Sequence, residues 1–246
     1  MEYRQLSAEE FGDLQSRILY EDNHLMVFDK RPGEIVQGDK TGDEPLSETL
    51  KAFIAQRDGK PGKVFLGVPH RLDRPVSGIC IFAKTSKALE RLSEMFRLGA
   101  VHKTYHALCC AKPEPEEGTL EDWMERNEKL NKSFITLKPG PKAKLAKLEY
   151  RLLEATQRYW LVEVRLLTGR HHQIRCQLAH IGCPIKGDLK YGAPRSNPDG
   201  GISLNSHSIS FEHPVKHEEI FCESRIPLIS RSLPSRGSTP RESFPY

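Results

Sequence analysis

Residues 70 to 84 read His-Arg-Leu-Asp-Arg-Pro-Val-Ser-Gly-Ile-Cys-Ile-Phe-Ala-Lys. One carboxylate in this stretch, Asp73, lies between two arginines, Arg71 and Arg74. Positive charge within a few ångströms favours the ionised form of a carboxylate, which can act as a nucleophile or as a base. The same pattern suits a structural ion pair at the start of a strand, so these charges alone leave both interpretations open.

The residues after Asp73 predict its backbone setting. Pro75 fixes its own backbone and biases Arg74 towards an extended conformation, which indicates a pre-shaped turn and not a helix interior. The run from Val76 to Ala83 is apolar on both faces, and this pattern predicts a strand buried in the middle of a sheet. We therefore expect Asp73 on a fixed loop that leads into a central strand.

Three other segments carry unusual combinations of residues. Residues 24 to 33 predict a strand that ends in Lys-Arg-Pro-Gly, and residues 103 to 108 read Lys-Thr-Tyr-His-Ala-Leu and also predict a strand. Residues 168 to 175 read Thr-Gly-Arg-His-His-Gln-Ile-Arg and are followed by Gly-Cys-Pro-Ile-Lys-Gly-Asp-Leu-Lys-Tyr-Gly at 182 to 192. Any one of these segments could occur in unrelated proteins, whereas the combination of all of them is highly specific for one protein family.

Together these segments resemble the RluA-type family of RNA pseudouridine synthases, in which the Asp of the central motif is catalytic. The resemblance extends from about residue 18 to residue 214. It implies that Asp73 acts at the ribose C1′ or at the uracil ring. Tyr105 would stack on the target uracil and take part in removing the C5 proton. Arg175 would pair with Asp73, and Ile174 would pack against the base or the pocket wall.

The implied reaction breaks an N1–C1′ bond, turns the uracil and forms a C5–C1′ bond. It oxidises nothing and consumes no water, so we expect no metal and no organic cofactor. One carboxylate can serve, whereas a glycoside hydrolase typically uses two. Zinc-binding residue types do recur at His172, Cys176, His180 and Cys183. On one predicted helix, however, the first and last would be roughly 16 Å apart, which is too far for a shared ion.

The target uridine has to leave its RNA helix, which costs a few kcal/mol. Arg71 is placed to fill the gap or to hold the displaced strand. Candidate phosphate contacts are Arg74, Lys103, Arg170, His172 and Lys186. The sequence departs from the family pattern at Val76, Gln177, Asn205 and Ser206, none of which is among the three expected catalytic residues.

Charge is distributed unevenly along the chain. Residues 1 to 60 hold 8 Lys/Arg against 13 Asp/Glu, whereas residues 131 to 195 hold 13 Lys/Arg against 4 Asp/Glu. The basic part is where phosphates are expected to bind. The partner implied by the resemblance is tRNA or rRNA. A non-catalytic RNA-binding or RNA-folding protein on the same scaffold is the alternative, and a metal-dependent nuclease would need a convergent carboxylate cluster that the sequence lacks.

The pattern of elements predicts an α+β fold with a mixed, mostly antiparallel sheet and flanking helices. The resemblance adds a cleft across that sheet. Residues 1 to 226 are expected to form a single catalytic domain, and residues 227 to 246 a mobile tail rich in Ser, Pro and Arg. Helices are predicted at Ala8–Leu14, Pro45–Gln56, from an N-cap at Ser86 to Gly99, and from 168 to Gly182. Strands are predicted at 24–29, 76–83, 101–110, 146–153, 160–167 and 202–211, with a hairpin within 132–147.

Six cysteines follow no disulfide framework, and no apolar stretch is long enough to span a membrane. With no signal peptide recognised, we expect a cytoplasmic protein with no membrane partner. A monomer is the default expectation.

Overall fold

The computed structural model describes residues 3–38, 42–59 and 62–228. Across these residues the chain has an α+β fold with ten strands and four α-helices, which confirms the predicted fold class. The chain divides into two compact units, one made of Met1–Val101 and Ser208–Ile226 and the other of His102–His207 with the chain from Pro227 onward. Each unit is described below by itself.

The helices are α1 (Ala8–Ser16), α2 (Leu46–Asp58), α3 (Ser86–Leu98) and α4 (Gln173–His180), with one 3₁₀ turn at Leu189–Tyr191. The strands are β1 (Ile18–Glu21), β2 (Leu25–Lys30), β3 (Ser77–Ala83), β4 (His102–Cys109), β5 (Glu117–Asn127), β6 (Lys132–Thr136), β7 (Lys144–Ala155), β8 (Trp160–Leu166), β9 (Leu204–Glu212) and β10 (Glu219–Glu223).

In the first unit β1, β2 and β3 are consecutive neighbours in the sheet, and β10 pairs with β9. The β1–β2, β2–β3 and β9–β10 pairs are antiparallel. Both β2 and β3 are buried along their whole length, because α3 and neighbouring apolar residues pack against them. The continuous apolar run that predicted a central strand is therefore confirmed.

Two helix starts in this unit differ from the sequence prediction. Thr85, not Ser86, caps α3, since its hydroxyl accepts a hydrogen bond of 3.2 Å from the amide of Ala88. Pro45 has an extended backbone and precedes the first helical residue, Leu46, instead of occupying the first turn. Gly99 ends α3 at a φ of 75°, as expected.

In the second unit the strand order is β4-β8-β7-β5-β6, and all four of these pairs are antiparallel. Strand β5 was not predicted from the sequence. Its residues are largely charged and its side chains are mostly exposed, so it lacks the apolar alternation that identifies a strand. The predicted hairpin within 132–147 is wrong, because β6 and β7 each pair with β5 and not with each other.

The single domain predicted for residues 1 to 226 stays a prediction. Of the predicted tail, all but Pro227 and Leu228 lies outside the described residues. In the described ranges no helix is both long and apolar enough to cross a membrane.

Candidate active site

Asp73 lies in a tight turn directly before β3. Its carbonyl oxygen accepts a hydrogen bond of 3.0 Å from the amide of Val76, which closes the turn over Arg74 and Pro75. The Asp73 side chain is half-buried, whereas Arg71 is exposed. The fixed loop predicted for Asp73 is therefore present.

A buried lysine holds this turn from the inside. Lys30, at the end of β2, is 0% exposed. Its ammonium donates hydrogen bonds to three carbonyl oxygens, those of Arg31 at 3.0 Å, Arg74 at 3.1 Å and Val76 at 2.6 Å. Burial lowers the pKa of Lys30 to about 8, and the negative charge of Asp73 is one of the groups that oppose this shift. The backbone after Asp73 is thus tied to the core of the first unit.

Gly33 makes a second contact with the same turn. Its amide donates a hydrogen bond of 2.9 Å to the carbonyl oxygen of Arg74. Gly33 has a φ of 87°, in the left-handed region that side chains disfavour. Residues of the Lys-Arg-Pro-Gly segment therefore contact the turn that carries Asp73 through Lys30 and Gly33.

Two arginines near this turn are paired with acidic residues in the same unit. Arg74 lies 2.7 Å from Asp43, and both side chains are about half exposed. Arg31 lies 2.6 Å from Asp13. Because such exposed pairs contribute only about 0 to 1 kcal/mol, either arginine can exchange its carboxylate for another anion at little cost.

Tyr105 lies on β4 in the second unit, opposite Val164 of β8. Its side chain is 6% exposed. Lys103 is two residues earlier and therefore on the same face of the strand. Burial lowers the pKa of Lys103 to about 8, although the residue keeps partial contact with solvent.

Arg175, on α4, forms a buried ion pair within its own unit. Its Nε and Nη2 atoms lie 2.6 and 2.8 Å from the two carboxylate oxygens of Asp188. Its guanidinium also lies 5.1 Å from the centre of the Tyr191 ring. A bidentate pair of this kind fixes the plane of the guanidinium.

Tyr191 and His172 support Arg175. The Tyr191 hydroxyl accepts a hydrogen bond from the amide of Ser133 at 2.8 Å and lies 3.0 Å from Nδ1 of His172. His172 precedes α4 with a left-handed φ of 54°, and its ring stacks on that of His171 at 3.8 Å. Burial lowers the pKa of His172 to about 2. A neutral ring can contact a phosphate through a hydrogen bond only, and the phosphate contact expected of His172 stays a prediction.

The remaining expected site residues differ in their exposure. Ile174 is buried. Arg170 is exposed, and its Nε donates a hydrogen bond of 2.8 Å to the carbonyl oxygen of Leu145. The ammonium of Lys186 lies 5.0 Å from the centre of the Tyr159 ring.

The structure brings together Lys30 with the Asp73 turn, and Arg175 with Asp188 and Tyr191. The expected contacts of Asp73 with Tyr105 and Arg175 join residues of different units and stay predictions. Lys30 and Asp188 are in the quoted motifs but had no assigned role. For Lys30 the available signal was a lysine at the end of a strand that begins with four apolar residues. For Asp188 it was a lone carboxylate after Lys-Gly.

The helix assumed in rejecting a zinc site is shorter than predicted. His172 precedes α4 and Cys183 follows it, so only Cys176 and His180 of that set are helical. Within the described part of the chain, no three His, Cys, Asp or Glu side chains are grouped so that they could hold a metal ion.

The sequence from residue 24 to residue 180 matches the model of the RNA pseudouridylate synthase family. The chain belongs to this family and is a pseudouridine synthase, an isomerase. The resemblance to RluA-type enzymes is thereby confirmed.

Several curated proteins are similar over most of this chain and over about two thirds of their own length. A Bacillus subtilis (strain 168) protein described as the uncharacterized RNA pseudouridine synthase YlyB is 32% identical over 213 residues, covering 85% of this chain and 69% of the relative. Ribosomal large subunit pseudouridine synthase C of Vibrio parahaemolyticus serotype O3:K6 is 30% identical, covering 89% and 68%. The solved structure of human RNA pseudouridylate synthase domain containing 4 has a TM-score of 0.73 at 24% identity, covering 88% and 91%. This structural likeness concerns the fold alone.

Proposed function

We propose that Asp73 is the catalytic carboxylate with which this enzyme converts a uridine of tRNA or rRNA to pseudouridine. The observation that carries the proposal is the turn of Asp73, whose backbone is fixed by the Lys30 ammonium and the Gly33 amide. Both groups bind the backbone carbonyl oxygen of Arg74. These two contacts therefore position Asp73 through the backbone and do not involve its carboxylate oxygens. Positioning of this kind supplies much of the rate enhancement of enzymes.

The other roles follow the resemblance. Tyr105 stacks on the detached uracil, so that the base can rotate without escaping, and takes part in removing the C5 proton. Arg175 pairs with Asp73, and Ile174 packs against the base or forms the pocket wall. The buried pair with Asp188 supports this role for Arg175, because it holds the guanidinium in one orientation.

Binding of the RNA backbone is assigned to exposed and half-buried cations. Arg71 fills the gap that the flipped uridine leaves, and Arg74 exchanges Asp43 for a phosphate. Arg170, Lys103 and Lys186 are further phosphate contacts. His172 stays in this group as a neutral contact, which would act through a hydrogen bond and not through charge.

Large-subunit ribosomal RNA is the substrate to test first. Relatives named ribosomal large subunit pseudouridine synthase C and D are 30% and 29% identical to this chain. Transfer RNA remains in the proposal as the second substrate. The monomeric state and the cytoplasmic location stay predictions.

The test is to incubate the purified protein with unmodified rRNA and tRNA transcripts and to map pseudouridine by carbodiimide-dependent primer-extension stops. The variant Asp73→Asn is run in parallel. Glu90→Gln is the matched control, because Glu90 is an exposed carboxylate of the same unit.

We expect new stops with the wild-type protein and with Glu90→Gln, and none with Asp73→Asn. The position of the stops identifies the substrate uridine. Stops of equal strength with Asp73→Asn would refute the role of Asp73. Binding of RNA without stops by all three proteins would favour the non-catalytic alternative.

A further inference from the structure

The hairpin of β5 and β6 presents an outer face that the proposed chemistry does not use. Phe134 lies opposite Glu125, and Thr136 lies opposite Trp123. Directly opposed residues of antiparallel strands project to the same side of the sheet. Trp123, Glu125, Phe134 and Thr136 therefore share one face of the hairpin, called here the outer hairpin face.

The other side of the hairpin is fully occupied. Met124 is buried in a cluster with Cys176 and Tyr191, and Ile135 packs against the same cluster. Ser133, two residues before Ile135 on β6, is also buried, and its amide donates a hydrogen bond to the Tyr191 hydroxyl. The orientation of the hairpin is thus fixed, and Phe134 points away from the core with 41% of its surface exposed.

Cations surround the exposed ring. The ammonium of Lys132 lies 5.4 Å from the centre of the Phe134 ring and 4.9 Å from that of Tyr191. A depression of about 630 Å³ next to Phe134 is lined by three cations, Arg126, Lys129 and Lys142, and by two carboxylates, Glu125 and Glu128. Residues 123 to 147 contain seven Lys/Arg and two Asp/Glu. The face therefore combines an aromatic platform with excess positive charge.

We propose that the outer hairpin face binds a single-stranded segment of the RNA substrate outside the target uridine. A base stacks on Phe134, and the neighbouring phosphates contact Lys129, Lys132 and Lys142. This inference rests on the proposed function, in which RNA is the substrate. An aromatic ring within a basic groove is the combination that binds single-stranded nucleic acid without sequence preference.

A protein partner suits this face less well. Protein interfaces bury an apolar centre from which charged residues are depleted. Here one exposed aromatic ring lies among charged residues, four of which are cations, Arg126, Lys129, Lys132 and Lys142, with Glu125 opposite the ring on the neighbouring strand. Single-stranded RNA supplies both a flat base for the ring and a negative backbone for the cations.

Trp123 provides a local probe of binding. The chain has two tryptophans, and the second, Trp160, lies on β8. In a Trp160→Phe background of the full chain, a single-stranded decamer of mixed RNA sequence is titrated at low salt. We expect quenching of Trp123 fluorescence, and the same dissociation constant from the anisotropy of a labelled decamer.

Three variants in this background test the residues, and a fourth, Leu98→Ala, is the control. Phe134→Ala should weaken decamer binding at least 5-fold, whereas Phe134→Tyr, which keeps the ring, should bind like the parent. Lys142→Gln should reduce the salt slope of log K by roughly 0.7, the value for one phosphate contact on a single strand. Leu98→Ala, which removes an exposed apolar side chain on α3 of the other unit, should change nothing.

The decamer experiment is independent of catalysis. Asp73→Asn should bind the decamer like the parent protein even though it forms no pseudouridine. Equal binding by the parent and Phe134→Ala, or no binding below about 1 mM, above the usual range of non-specific affinities, would overturn the proposal. Neither result would affect the role proposed for Asp73.

Discussion

The ammonium nitrogen of Lys30 lies 2.6 Å from the carbonyl oxygen of Val76. Because the same ammonium also binds the carbonyl of Arg74, it spans the turn that carries Asp73. Lys30→Met keeps the buried apolar stem and removes three donated hydrogen bonds. We expect the free energy of unfolding to fall by about 1 to 3 kcal/mol, the cost of leaving buried acceptors unsatisfied. Turnover at saturating RNA should fall by about 100-fold, as expected when a reacting group shifts by about 1 Å.

The matched control for this variant is Lys84→Met. Lys84 is a second largely buried lysine of the same unit, and its ammonium binds Glu21 and the carbonyl of Asp22, each at 2.6 Å. Lys84→Met should lower the free energy of unfolding measured in urea but leave the turnover number unchanged. An equal loss of turnover in both variants would mean that Lys30 acts only through stability.

Gly33→Ala tests the second support of the turn. Forcing a side chain into the left-handed conformation at Gly33 costs about 1 to 2 kcal/mol, and the relaxed backbone would withdraw the amide from Arg74. We expect lower stability and lower turnover. Gly12→Ala is the control, since Gly12 is inside α1 with open space around its Cα and alanine there should stabilise by roughly 0.5 to 1 kcal/mol. Unchanged turnover in Gly33→Ala would show that the Gly33 contact does not contribute to catalysis.

Asp188→Asn leaves the guanidinium of Arg175 buried without its counter-charge. Asp188 is 1% exposed and Arg175 is 5% exposed, so the loss should be about 3 to 5 kcal/mol in the free energy of unfolding. The exposed pair of Lys51 and Glu48 offers the comparison, because Glu48→Gln should cost less than about 1 kcal/mol. Urea denaturation of both variants measures the difference, and similar losses would contradict the structural importance of the Arg175 pair.

His172 should make the second unit sensitive to acid. Its pKa is about 2 in the folded chain and 6.5 as a free side chain, so below pH 6.5 the unfolded chain binds a proton that the folded chain does not. The free energy of unfolding is therefore highest above pH 6.5 and declines as the pH falls, by about 2 kcal/mol between pH 7 and pH 5 for this group.

The variant His172→Asn checks this pH dependence, because asparagine tolerates the left-handed backbone and does not titrate. The loss of stability between pH 7 and pH 5 should shrink by about 2 kcal/mol relative to the wild-type protein. Leu98→Ala, at an exposed position that does not titrate, should leave the pH dependence as it is. If His172→Asn retained the full acid sensitivity, another group would have to be responsible.

Local sequence signals predicted most of the fold. The apolar run before Ala83 and the alternation from Trp160 to Leu166 identified strands, because burial on one or both faces leaves a pattern that a short window can detect. The sequence of strand β5 shows neither an apolar run nor an apolar alternation. Its side chains are mostly charged, and its place between β6 and β7 depends on pairings with residues far away in the sequence.

The site was predictable only in part, for a related reason. Motifs selected Asp73, Tyr105 and Arg175 as candidate catalytic residues, since each lies in a distinctive string of residues, and their roles stay proposals. The supporting contacts of Lys30 and Asp188 are tertiary, with partners 46 and 13 residues away. The burial that makes His172 neutral is equally invisible in a sequence, where a histidine beside Arg170 suggests a phosphate contact.

The measurement that tests the central claim most directly is the release of tritium from RNA labelled at C5 of uridine, because forming the C5–C1′ bond displaces that hydrogen. Wild-type protein and Asp73→Asn are compared at saturating substrate RNA, with binding of the same RNA measured in parallel. We expect rapid release by the wild-type protein and no release above background by Asp73→Asn, at equal affinity. Release at the wild-type rate by Asp73→Asn would contradict the assignment of Asp73 as the catalytic carboxylate.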